Sequence, residues 1–396
     1  MSSYRILHVV DQLVPASGVA SVIMLLVSGI PEFTHDVAVY GACDKLMEYD
    51  VISKGGNVYK LPDVTQRLGI PFSKAFSALL KKVPYKIIHG HLLNSAFIYQ
   101  REAKKQNVPG RIIHAHSAVG ADTLLKRIRN NILTKGALRW GNIYVAVSKE
   151  AARHAFGNRY EDVQILGNGI DISRFKYNPD TRKQMRHELG IGNNVMCVGH
   201  VARFAGLKNH QFVLDVFRVM QQHSDCVLLL LGEGQLENSI KDMVRISGLS
   251  DSVKFLGVRR DVDKLYQAFD VLLLPSLAEG FGIVAVEAQC AGLGCIVSEH
   301  VPKVVRCSEH INFLPLSDKA KWAKMALKLS QIPRLDGSVN VKMAGLDIET
   351  MCSKFQHLYK TILGDMPCQT LEDATSNLSF QSSSQYSMGE TTSKKL

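Results

Sequence analysis

Short apolar runs alternate with helix-length segments along most of this chain. In the first half the runs fall at 6–10, 35–40, 87–89, 111–114 and 143–147, separated by helical patterns such as 19–27 and 73–82. The second half repeats the rhythm, with runs at 195–201, 227–231, 253–256, 271–274 and 295–297 and helical patterns at 209–222, 235–247 and 261–268. A run that is apolar throughout, rather than at every second position, reads as a strand buried on both faces. Strands alternating with helices predict an α/β protein with open, mostly parallel sheets covered by helices on both sides. Ligands of such sheets bind at the carboxyl ends of the strands, so the loops that follow the runs are where chemistry is expected.

The stretch 166–175 and the polar segment 177–186 are rich in turn-forming residues and mark a boundary. They divide the chain into a domain at 1–175 and a second at 187–345. A helical segment at 350–363 closes the fold, within 346–364. Beyond it Ser, Thr, Gln and Asn dominate, so 365–396 is predicted to be a disordered tail with too little apolar surface to offset the entropy of ordering.

With 396 residues, 46% of them apolar and 21% charged, the chain has room for two ordinary globular domains. Its eight cysteines stand singly with no CxxC spacing, which suggests neither a zinc site nor a disulfide framework. No apolar run approaches the roughly 18–20 residues of a membrane span, and the first strand begins without a charged-then-apolar leader, so a cytoplasmic protein is expected.

The net charge of +11 is uneven. Residues 74–139 hold 13 Lys/Arg against only Glu102 and Asp122, whereas 184–396 hold 22 of each sign. Nucleic acid is not the expected partner, because helix-turn-helix punctuation, zinc fingers and RNA-binding aromatic motifs are all missing. An anionic membrane surface suits the basic stretch better. Its segment 123–140 is amphipathic, with Leu124, Leu125, Ile128, Ile132 and Leu133 interspersed with Lys126, Arg127, Arg129, Lys135 and Arg139. Such a helix either lies among lipid headgroups or packs its apolar stripe on its own domain; both readings stand.

Candidate chemistry concentrates in two loops. The run 271–274 leads into Glu279-Gly280-Phe281-Gly282, after which an apolar helix begins and carries Glu287 eight residues further on, about two turns into the helix. Two glycines allow close backbone approach, and outward N–H groups at the helix start favour an anion. Both carboxylates can face one ligand, and a sugar nucleotide offers hydroxyls to each. The second loop, after 195–201, carries Arg203 and Lys208. A fixed guanidinium and ammonium stabilise the charge that develops on a departing diphosphate, with no metal required.

On Gly199-His-Val-Ala-Arg203, Lys208-Asn209-His210, Gly232-Glu-Gly234, Phe255-Leu-Gly257 and the run 270–298, the chain resembles the retaining family-4 glycosyltransferases of the GT-B fold. The likeness is to those that assemble capsule, exopolysaccharide, lipopolysaccharide and O-antigen chains. Ala146-Val-Ser-Lys149 and Asn168-Gly-Ile-Asp171 extend it to about residues 5–363, strongly in the second half and loosely in the first. The resemblance implies two Rossmann-like domains facing across a cleft. It implies that Arg203 and Lys208 hold the donor diphosphate, that Glu279 contacts the transferred sugar with Gly280, Phe281 and Gly282 near sugar and phosphate, and that Glu287 accepts the ribose hydroxyls. Main-chain atoms at Val258 and Arg259 would meet the base, Gly18 would approach the phosphate, and His116 would lie by the reacting carbon.

The chain departs from the family at Ser17-Gly18, where paired glycines are usual, and at Gly294, where proline is. His89, His91, His114 and His116 all sit near strand ends, where a histidine is as readily structural. No metal and no cofactor are implied; a nucleotide-diphosphate sugar, UDP before GDP or ADP, is the co-substrate. The implied acceptor is a polyprenyl-diphosphate-linked oligosaccharide at the inner face of the cytoplasmic membrane. A GT-B sugar-nucleotide epimerase would need acid/base carboxylates in the cleft. A non-catalytic membrane-surface carbohydrate-binding protein would have no use for Arg203, Lys208, Glu279 and Glu287 together. A nicotinamide enzyme would need Gly-x-Gly-x-x-Gly, which 11–18 lacks.

Overall fold

A computed structural model describes residues 4–117 and 124–364 of the chain. Its first sheet contains β1 (Arg5–Val10), β2 (Thr34–Val39), β3 (Val58–Lys60), β4 (Ile87–Gly90), β5 (Gly110–Ala115), β6 (Ile143–Ala146) and β7 (Gln164–Ile165), in the order β3-β2-β1-β4-β5-β6-β7. The second contains β8 (Met196–Val201), β9 (Cys226–Leu231), β10 (Val253–Gly257), β11 (Val271–Leu274), β12 (Gly294–Ser298) and β13 (Ile311–Leu314), in the order β10-β9-β8-β11-β12-β13. Neighbouring strands run parallel in both. β9 shows why: all six of its residues are buried, which only a sheet covered on both faces provides. In each sheet the strand order reverses once, between β1 and β4 and between β8 and β11, and these reversals open the crevices where ligands of such sheets lie.

Three strands were not anticipated. β3 has no fully buried residue, β7 is two residues long, and β13 interrupts its apolar pattern with Asn312. All three are sheet edges, where one flank lacks a partner and the apolar signal fades. The polar segment 177–186 also differs from its turn-rich expectation, for it contains the helix Pro179–Glu188. Asn178 caps that helix by accepting from the Thr181 N–H at 2.8 Å, and Pro179 sits at its first position. Arg182 and Arg186 then bind Asp270 at 2.6 and 3.1 Å, fixing the helix to the second lobe.

The chain passes between lobes twice, and the two passages are paired. Ile170 and Asp347 form a parallel bridge, with the Ile170 N–H donating to Leu346 and the Ile348 N–H to Ile170, both at 2.9 Å. The helix Ile348–Leu363, capped by Asp347 accepting from the Thr350 N–H, returns to the first lobe. There Met351, Phe355, Leu358 and Tyr359 join Ile6, Val22, Leu26 and Ile87 in one buried cluster.

The basic stretch is less free than its count suggests. Arg101 and Lys105 pair with Glu102 at 3.2 and 3.0 Å, and the Arg111 guanidinium donates to the carbonyls of Val108 and Trp140, each at 2.7 Å. The helix Leu124–Leu138 packs its last turns on the helix Leu93–Lys105: a Cβ at Gly136 would meet the Phe97 ring at 2.6 Å, and Ala137 is buried. Ile132 is exposed. The side chains of Leu124, Leu125, Lys126, Arg127 and Ile128, and the tail 365–396, lie outside the described residues. Among the described residues no helix is long and apolar enough to cross a membrane.

Candidate active site

Two loops leave the second sheet at its reversal. After β8, Arg203 is exposed, the turn Gly206–Lys208 follows, and Asn209 takes a left-handed conformation (φ +56°) as the helix His210–Gln221 begins. After β11, the chain runs through Ser276 and Glu279 to Gly282, whose φ of +91° starts the helix Ile283–Cys290. That backbone conformation is strained for any residue with a Cβ. The loops are tied together: Lys208 Nζ lies 2.6 Å from Glu279 Oε1, which also accepts from Ser276 Oγ at 2.7 Å. Glu279 is thus a fixed, largely covered carboxylate with a cation on one side.

Glu287 belongs to a different hydrogen-bond cluster. Its Oε2 accepts from the Tyr266 hydroxyl at 2.8 Å. Burial pushes its carboxyl up to about 7, against the opposing pull of the Tyr266 bond and the Arg174 charge. Val258 is exposed just past β10, and Arg259 is engaged by Asp261 through two bonds of 2.8 and 2.6 Å.

The first lobe meets this site at its backbone. A Cβ on Gly280 would fall 2.0 Å from the His116 carbonyl oxygen, so only glycine permits the contact between the lobes. Ser148 Oγ donates to the Gly280 carbonyl at 2.7 Å while accepting from the Ala151 N–H at 3.0 Å as a helix cap. At the end of β1, burial raises the Asp11 carboxyl, opposed by the Gln12 N–H and by the positive charge of Arg203 across the cleft. Gly18 opens the helix Gly18–Gly29, with Ser17 as its cap, and a Cβ there would meet nothing, so protein packing does not demand that glycine. His116 is half-buried, hydrogen-bonded to His91 at 2.9 Å, and its imidazole is driven by burial down to about 3 and stays neutral. Arg260 reaches across to Asp44, with 2.9 Å to each carboxylate oxygen.

The structure therefore joins Lys208 to Glu279 and sets the backbone of His116 against Gly280, while Glu287 and Arg259 hold separate partners. Sequence reading missed Ser148, Ser276, Tyr266 and Asp11. Ser148 carried a signal, because Ser-Lys-Glu-Ala is a helix-start pattern. Tyr266 carried none, since it comes from a helix outside either loop.

Two parallel doubly wound sheets with a cation–carboxylate pair at the reversal of one, facing a histidine at the end of the other, define a GT-B glycosyltransferase architecture. The chain belongs to the family-4 glycosyltransferases: the family profile described as Glycosyltransferase Family 4 matches residues 16–174, and that described as Glycosyl transferases group 1 matches 181–310. Among its relatives is EpsF of Bacillus subtilis (strain 168), named as a glycosyltransferase, 28% identical over 77% of this chain and 81% of that protein. Another is an Escherichia coli UDP-Gal:alpha-D-GlcNAc-diphosphoundecaprenol alpha-1,3-galactosyltransferase, 26% identical over 56% of this chain and 59% of its own length. Among solved structures, HepE of Anabaena in complex with UDP and glucose superposes with a TM-score of 0.75 at 18% identity, covering 90% of this chain and 100% of that one.

Proposed function

We propose that the protein is a retaining glycosyltransferase that moves a sugar from a UDP-sugar to a polyprenyl-diphosphate-linked oligosaccharide during assembly of a bacterial surface polysaccharide. The observation that carries this is the Lys208–Glu279 pair, drawn from two loops at the sheet reversal and packed through Gly280 onto the His116 backbone. In this reading Arg203 and Lys208 hold the diphosphate, Glu279 orients the sugar, and Glu287 accepts the ribose hydroxyls. Gly18, the Gly280–Gly282 turn and the backbone at Val258 and Arg259 complete the donor site. The acceptor oxygen bonds to the anomeric carbon on the face from which the diphosphate leaves. The departing oxygen keeps the bonding electron pair and takes the hydroxyl proton, so the transfer needs neither a metal nor a carboxylate nucleophile. Fixed cations act there as the charge develops, in a cleft that excludes water. The UDP bound to HepE and the lipid-linked acceptor named for the Escherichia coli relative support the donor and acceptor chosen. The enzyme would work on the cytoplasmic side of the membrane, held to anionic lipid by basic residues of 74–139.

The test is transfer from a panel of sugar nucleotides, UDP-glucose first, to an undecaprenyl-diphosphate-linked acceptor, with the product anomer read by NMR. Arg203→Ala and Lys208→Ala should each lower transfer by about 100-fold or more while melting within a few degrees of the native protein. Normal turnover in either variant removes that residue from the site, and product of inverted configuration overturns the retaining mechanism.

A further inference from the structure

Four histidines cross the first sheet on adjacent strands. His35 lies on β2, His8 on β1, and His91 and His116 directly after β4 and β5. They form one continuous chain: His35 Nε2 to the Ile30 carbonyl at 3.2 Å, His35 Nδ1 to His8 Nε2 at 2.9 Å, His8 Nδ1 to His91 Nε2 at 3.0 Å, and His91 Nδ1 to His116 Nε2 at 2.9 Å. Burial holds all four rings in their neutral form.

The protons in this chain have only one arrangement. A carbonyl oxygen accepts and never donates, so His35 carries its single proton on Nε2. Its Nδ1 is then bare and must receive the proton of His8 Nε2. The same step repeats, since a neutral imidazole has one N–H. His8 Nδ1 receives from His91 Nε2, and His91 Nδ1 receives from His116 Nε2. His116 is left with Nδ1 as a hydrogen-bond acceptor. The direction is set at Ile30, the residue that ends the helix Gly18–Gly29.

We propose that His35, His8 and His91 are positioning residues that lock His116 in the Nε2–H tautomer, so that it meets the sugar as an acceptor at Nδ1, taking a hydrogen bond from a substrate hydroxyl. The role of that acceptor rests on the glycosyl-transfer reading; the lock does not. The inner end of the chain is closed, because His35 is buried and donates to a backbone carbonyl, so the chain sets a tautomer and carries no proton to solvent. One nitrogen each of His91, His114 and His116 also lie within 4.8 Å of one another, close enough for a metal ion, and an ion taking His116 Nε2 or His91 Nδ1 would have to displace the proton shared between them.

The experiment is long-range ¹H–¹⁵N correlation on full-length protein labelled at histidine, which reports the protonated nitrogen of each ring. His116 is assigned by its disappearance in His116→Gln. The native protein at pH 7 should show Nε2–H on His116, His91 and His8. An Nδ1–H or a charged ring at His116 overturns the proposal, as does stoichiometric zinc uptake that removes the Nε2–H signal. His35→Leu deletes the acceptor at the head of the chain and should bring out the Nδ1–H form of His116. In that variant kcat should fall about ten-fold, the loss of one hydrogen bond, with KM for the donor changed less than two-fold. His35→Gln, which supplies both an amide donor and a carbonyl acceptor, should restore tautomer and kcat. An unchanged His116 tautomer in His35→Leu sinks the transmission, and if that variant does not fold, the native spectrum alone decides. A confirmed lock in a protein that transfers no sugar leaves the chain standing and removes the glycosyl-transfer reading.

Discussion

Glu287 offers a quantitative test of how the donor is held. Ribose hydroxyls donate, so the form of Glu287 that binds them is the carboxylate, whereas burial leaves the free protein with a carboxyl titrating at about 7. At pH 6 about one molecule in ten carries the charge, and at pH 8 about nine in ten, so nucleotide-sugar affinity should rise roughly ten-fold between them. Binding at pH 7 should release about half a proton. UDP-glucose is the ligand of choice, because its doubly esterified diphosphate does not titrate in this range. Calorimetry in two buffers of different ionisation enthalpy measures affinity and proton release together. In Glu287→Gln both dependences should vanish. Equal affinity at pH 6 and pH 8 with no proton release would falsify the assignment of Glu287 to the ribose. The same shift acts on folding without ligand. A carboxyl raised in the folded state stabilises fully below its ordinary value of about 4.3, and that contribution is lost as pH climbs through about 7. Glu287→Gln should therefore match the native protein near pH 4 and exceed it at pH 8, by roughly 3–4 kcal/mol at most.

Three further outcomes follow from the lobes and their contacts. Gly280→Ala sets a methyl 2.0 Å from the His116 carbonyl with backbone on both sides, so the loop must withdraw at a cost of about 1–3 kcal/mol. Small-angle scattering should show a more open particle and calorimetry a weaker donor, whereas native values for both would refute the contact. Phe355→Ala empties a fully buried site beneath the first sheet and should cost about 3–5 kcal/mol in denaturant unfolding, with donor binding by the second lobe kept in the folded protein. Arg260→Ala removes an exposed inter-lobe pair worth about 0–1 kcal/mol. Asp44→Ala should cost about 1 kcal/mol more, because Asp44 also caps its helix by accepting from the Leu46 and Met47 N–H groups; equal melting temperatures for the two variants would contradict that cap.

The central strands were legible because each is a dense apolar run, as in the all-leucine end of β9, and burial on both faces admits few other residues. The edges were not, because Asn312 in β13 and Lys60 in β3 face an environment that tolerates polarity. The candidate loops could be picked out at Arg203, Lys208 and Glu279, because each stands in a glycine-bearing loop directly after a dense apolar run. Their mutual arrangement could not, because the Lys208–Glu279 contact spans 71 residues. The histidines illustrate the same limit. His91 and His116 stood out only as members of two His-x-His pairs at strand ends, and His8 and His35 passed for ordinary members of apolar runs. Only the lateral order of the strands, a non-local property, aligns them.

The return of the helix Ile348–Leu363 to the first lobe constrains how the molecule is made. Ribosomal synthesis delivers β1 to β7 before the second lobe, yet the apolar floor under β1 and β4 lacks Phe355 and Tyr359 until the helix Ile348–Leu363, which follows that lobe in sequence, has emerged. The second lobe, contiguous in sequence from β8 to β13, can mature ahead of the first. The nascent first lobe waits with Ile6, Val22 and Ile87 uncovered, a window in which chaperones have most to grip.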